Sequence, residues 1–273
     1  SGPGVVVVHE IPGITPAVLR FAEEVVQAGF TVVMPLLVGE VGRAPSGKYI
    51  ASSMSKICVS REFTTMAMRQ TSPVIAWLRA LAKSMHAEVG GVGVGAIGMC
   101  FSGGFALGMM VDDIMVAPVL SQPSMPFAVG SNRSADLNLS PSDEARIVER
   151  AQAGCQVLGL RFTGDKLVGT RFNSLRELLG DAFVADAPDD KQAQQLMALG
   201  VALHARRLAA RHHGKEPNAR FAVCRDDDEG RTPHLMQWHA DRHGDIVTYD
   251  DHDIRISGNL GQAFPQSGHI FDG

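Results

Sequence analysis

Hydrophobic positions come in short bursts along the chain, separated by longer stretches with helical spacing. Residues 4–9, Gly-Val-Val-Val-Val-His, form an almost unbroken β-branched run, the pattern of a strand buried on both faces. Residues 15–28 space their apolar side chains for a helix, with Pro16 in its first turn and Gly29 as its stop. Residues 30–34 predict a second buried strand, ended by Pro35. Residues 62–85 predict a long amphipathic helix, kinked or broken at Pro73. Residues 92–97 predict a third strand, 101–110 a helix, 114–119 a fourth strand and 157–162 a fifth. Residues 173–179 read as a helix and 181–185 as a sixth strand. Strands alternating with helices imply an α/β fold, a mostly parallel sheet with helices on both faces. Such sheets carry their sites at the carboxyl ends of strands.

The patterning fades after residue 185. Residues 1–185 hold 15 Lys and Arg against 15 Asp and Glu, so the whole net charge of −4 falls in residues 186–273. Eight of the ten histidines also lie there. This divides the chain into an α/β core, residues 1–185, and a divergent polar C-terminal segment, residues 186–273, inserted or appended.

Composition narrows the function classes. The 273 residues are 45% apolar and 20% charged, as in soluble globular proteins. The mild negative charge argues against a basic surface for nucleic acid or for an acidic membrane. Unbroken apolar runs such as residues 5–8 are far short of the ~20 residues that span a bilayer. No export signal is visible. Four cysteines with no CxxC pair do not make a disulfide framework. The expectation is a cytoplasmic protein acting on a small molecule, without a cofactor and with its oligomeric state open.

Candidate chemistry sits at three strand ends. Gly98-Met99-Cys100-Phe101-Ser102-Gly103-Gly104 follows the third strand and opens a helix. That is the setting of a nucleophile elbow, with Cys where lipases carry Ser. Glycines flank the turn because a Cβ there would strike neighbouring backbone. The helix N-terminus favours a thiolate, and the N–H of Phe101 is placed to be one oxyanion donor. The competing reading is a cysteine that only packs in a glycine-rich turn. His9-Glu10-Ile11-Pro12-Gly13 ends the first strand. If the two strands are neighbours, Glu10 stands beside the elbow and the Ile11 N–H becomes the second oxyanion donor. Arg161-Phe162-Thr163-Gly164-Asp165-Lys166 ends the fifth strand. An acid in this place, after the nucleophile in chain order, is where an α/β-hydrolase keeps its triad carboxylate; a plain turn Asp is the alternative.

Together these segments resemble the dienelactone hydrolase family. The residues that carry the resemblance are 5–11, 28–35, Gly98-x-Cys100-x-Ser102-Gly103 and Gly164-Asp165, and it extends over residues 4–185. It implies an α/β-hydrolase fold, a Cys-His-Asp triad and hydrolysis of lactones or small esters. Cys100 then matches the nucleophile and Asp165 the triad acid. Glu10 matches the family glutamate that switches the protonation of the resting thiol. Arg61 matches, weakly, an arginine that contacts the substrate carboxylate. Ser102 stands where many members have Gly. The resemblance begins at the first strand, so any antiparallel edge strands that precede it in the family are missing or supplied elsewhere.

A thiol nucleophile needs a base. After the sixth strand the chain runs Asp186-Ala187-Pro188-Asp189-Asp190, with no His where the family carries one. Gly268-His269-Ile270-Phe271 is the best local match to the family signature, which makes His269 the candidate base, ahead of His252 and His204. His9 reads as packing beside Glu10. His239 and His243, one helical turn apart and followed by Asp250 to Asp253, lack the HExxH pattern and read as solvated surface rather than as a zinc site. Two functions follow: a cysteine hydrolase of small esters or lactones, or a degenerate α/β-hydrolase-like binding protein without its base.

Overall fold

The computed structural model describes residues 3–63, 68–186, 221–225, 245–250 and 253–259. Its main sheet contains β1 (Gly4–Val8), β2 (Thr31–Leu36), β3 (Val94–Met99), β4 (Met115–Ser121), β5 (Val157–Leu160), β6 (Phe183–Asp186) and β7 (Phe221–Arg225). All pair in parallel, in the order β6-β5-β4-β3-β1-β2-β7. A separate antiparallel pair joins β8 (Asp245–Asp250) to β9 (Asp253–Asn259).

The connections are α1 (Pro16–Gln27), α2 (Gly47–Val59), α3 (Pro73–Val89), α4 (Gly103–Met109), α5 (Gly130–Ala135), α6 (Pro141–Gln152) and α7 (Arg171–Leu179). From β1 the chain steps one way to β2, then back across β1 to β3 and onward to β6. Right-handed crossovers then place α1 on one face and α3, α4, α6 and α7 on the other, where consecutive members of the second set pack together. The reversal of direction lies between β1 and β3. It opens a crevice at their carboxyl ends, the usual ligand position of such sheets.

Local signals explain most of the elements. Thr15 caps α1 by accepting from the Val18 N–H, and Pro16 opens the helix. All five residues of β1 are buried, as the β-branched run implies. Pro73 does not kink a long helix: it is the first residue of α3, where its missing N–H costs nothing. The second strand continues through Pro35 to Leu36: its pairing with β1 ends at Val33, and past that point it pairs with β7, Pro35 opposite Cys224. The outer edge of β2 is covered by β7, which runs parallel to it.

Candidate active site

Strand register assembles the site. Val8 pairs with Gly98, so Glu10 and Cys100 each stand two residues beyond the same rung. On the other side of β3, Met99 pairs with Ser121 of β4, and Ser121 with Leu160 of β5. The segment holding Ser124 and the segment holding Asp165 therefore emerge beside the cysteine.

Cys100 sits in a sharp turn with φ 55°, a left-handed conformation that costs a non-glycine residue energy. The 3-10 turn Cys100–Ser102 leads directly into α4. A Cβ on Gly98 would lie 2.2 Å from the Ser102 carbonyl oxygen, and one on Gly103 would lie 2.6 Å from the Cα of Pro123. Both clashes are with backbone, so both positions require glycine, as the turn chemistry predicts.

Ser102 holds the turn. Its fully buried hydroxyl accepts the Met99 N–H at 2.9 Å and lies within donating distance of the carbonyls of Met99, His9 and Val8. Phe101 points into the core, edge-on to Phe63 and Phe105 and tilted against His9.

His9 is committed to the backbone on both ring nitrogens. Nδ1–H donates to the Glu10 carbonyl at 2.8 Å, while Nε2 accepts the Leu37 N–H at 3.0 Å. This pattern defines a neutral tautomer, and complete burial pushes its pKa down to about 4. His9 ties the end of β1 to the end of β2 and is not available as a base.

Electrostatics around the sulfur are acidic. Burial pushes the Cys100 thiol up, and the nearby carboxylates of Glu10 and Asp165 add to the rise. Two hydrogen bonds oppose it: one from Ser124, whose Oγ lies 3.4 Å from Sγ, and one from the Phe101 backbone. Burial also raises the carboxyl of Glu10. Asp165 is half-buried and accepts the Leu167 N–H at 2.8 Å.

Arg171 organises the loops behind the site. Its side chain is 1% exposed. It donates to the carbonyls of Leu167 and Val168, just after Asp165, and to those of Pro126, Arg133 and Asp136. Burial lowers it to about 10, so it remains charged at neutral pH.

Strand register thus carries Glu10, Cys100 and Asp165 to the same edge of the sheet. Ile11, the second expected oxyanion donor, follows Glu10 and is half-buried. Arg61 is exposed in the turn after α2, two residues before Phe63, which packs on Phe101. His269, His252 and His204 lie outside the described residues. Ser124 and Arg171 gave no sequence signal, since one is an ordinary hydroxyl and the other a charge expected at the surface. Among the described residues, no group of three or more His, Cys, Asp or Glu side chains is arranged to hold a metal ion. No helix among them is long and apolar enough to cross a membrane.

Residues 1–125 match the dienelactone hydrolase family. The dienelactone hydrolase match spans β1 to β4, with Glu10, the elbow and Ser124, and stops before Asp165. It supports a hydrolase of the dienelactone hydrolase kind on an α/β-hydrolase fold. No curated protein matches the chain.

Proposed function

We propose that the protein hydrolyses small esters or lactones through a Cys100 acyl-thiol intermediate. The observation that carries this reading is Cys100 held at φ 55° at the end of β3, in the crevice where the sheet reverses direction. Strain of this kind is retained where it serves a site, and a merely packing cysteine has no use for it.

The steps follow from the groups present. The Cys100 thiol gives up its proton, and the thiolate attacks the carbonyl carbon. The oxyanion is held by the N–H groups of Phe101 and Ile11. Collapse expels the alkoxide, which takes a proton and leaves the acyl group on sulfur. Water, activated by the base, then releases the acid and restores the thiol. Glu10, raised by burial and beside the thiol, is the first acceptor of the sulfur proton. His269 is assigned as the base for the water step, with Asp165 as the acid of the triad. Arg61 contacts a carboxylate on the substrate.

The test is a rapid-mixing assay with a p-nitrophenyl ester. The wild-type protein is expected to release about one equivalent in a burst and then turn over, and Cys100→Ala to lose both phases. His269→Ala is expected to keep the burst and lose turnover. Equal bursts from wild type and Cys100→Ala would reject the acyl-thiol mechanism.

A further inference from the structure

We propose that Ser124 is an additional catalytic residue, whose hydroxyl donates a hydrogen bond to the Cys100 sulfur as it becomes a thiolate. This inference rests on Cys100 being the nucleophile.

The geometry is a two-point clasp. The Ser124 N–H donates to the Cys100 carbonyl at 3.0 Å, and its Oγ lies 3.4 Å from Sγ. Ser124 is 4% exposed, so water does not readily replace the contact. Among the described residues, the hydroxyl makes its hydrogen bond with Sγ. When the sulfur is protonated, either group can donate to the other. Once the sulfur is ionised, only the hydroxyl can donate. The contact therefore strengthens on ionisation, because hydrogen bonds to charged acceptors are roughly twice as strong as neutral ones.

The remaining surroundings make that donor necessary. Asp165 from the end of β5 opposes a negative sulfur, and so does Glu10 from the end of β1 until it takes up the sulfur proton. His9, packed on Phe101, is neutral and turns both nitrogens to backbone. The Phe101 backbone N–H also favours the thiolate, but it is the group needed for the oxyanion once a substrate is bound. Ser124 is held firmly enough to serve: Pro123 abuts Gly103 at the start of α4, and the Pro126 carbonyl accepts from Arg171. In the reaction the hydroxyl keeps its proton. The sulfur proton leaves to Glu10, and the S–C bond forms with the Ser124 hydrogen bond released as charge moves to the carbonyl oxygen.

The experiment is alkylation of the full-length protein by iodoacetamide across pH, read at Cys100 by peptide mass spectrometry so that exposed Cys58 does not contribute. Ser124→Ala is expected to move the alkylation profile about one pH unit upward, an about tenfold loss of thiolate at neutral pH. Ser124→Thr is expected to restore it. Because Thr and Val share a shape, Ser124→Thr against Ser124→Val isolates the hydroxyl if the alanine variant does not fold. Superimposable profiles for wild type and Ser124→Ala, or for the Thr and Val variants, would overturn the proposal. The alkylation readout needs no turnover, so a missing ester burst in the wild type would reject the hydrolase reading without imitating either result.

Discussion

The Ser102 hydroxyl lies 3.0 Å from the carbonyl oxygen of His9, joining the end of the first strand to the Cys100 turn through one side chain. That hydroxyl also accepts the Met99 N–H. The register between Glu10 and Cys100 therefore rests on more than the ladder between β1 and β3.

Removing this hydroxyl leaves a buried N–H without its partner. Ser102→Ala is expected to destabilise the protein by about 1–3 kcal/mol, read as a lower urea midpoint with an unchanged slope. The ester burst is expected to weaken as well, because the elbow loses its tie to the Glu10 loop. A variant as stable as wild type would show that the tie is dispensable.

His9 makes stability depend on pH. Its pKa is about 4 in the fold, against about 6.5 in an unfolded chain. Between those values the unfolded chain binds the proton and the folded one does not. Stability contributed by neutral His9 is thus complete above about pH 6.5 and declines as pH falls toward 4, by about 3 kcal/mol over that window. His9→Gln is expected to flatten this part of the curve while lowering stability at neutral pH. Denaturant midpoints measured from pH 7 to 4 on both proteins check it.

Glu10 acts in the opposite sense. Burial raises its carboxyl, so ionising it costs folding energy, and the cost appears as pH rises through the folded value. Glu10→Gln is expected to stabilise the protein at neutral pH by roughly 0.5–2 kcal/mol, the usual range for relieving an active-site compromise. The gain should fade at low pH, where the wild-type carboxyl is already neutral. Activity is expected to fall at the same time. Thermal midpoints at two pH values, set beside the burst amplitude, separate the two effects.

What could be read in the sequence was local in origin. The valine run of β1 and the glycines around Cys100 reveal themselves because a doubly buried strand and a tight turn each restrict residue type. Placing Glu10 beside Cys100 required only that two parallel strands be adjacent. The helix α2 escaped notice because its buried residues are Tyr49, Ser53 and Ile57: Ser53 faces inward and donates to the Pro12 carbonyl, breaking the apolar stripe. The helix α6 buries only Ile147 and Ala151, too little to stand out by pattern. Arg171 escaped for a related reason. Buried arginine is uncommon, and the carbonyls that justify this one come from loops far apart in sequence.

That arrangement has a consequence for how the site can change. Arg171 fastens the loop after Ser124 and the loop after Asp165 to one rigid, planar group. The two loops are consequently tied into a single module, and a foreign loop grafted at either place would arrive without its counterpart. The residues of this module all lie beyond residue 125, where the family match ends. Replacing either loop alone would leave Arg171 with buried donors unpaired, so an exchange that keeps the fold must carry both loops and their shared arginine together.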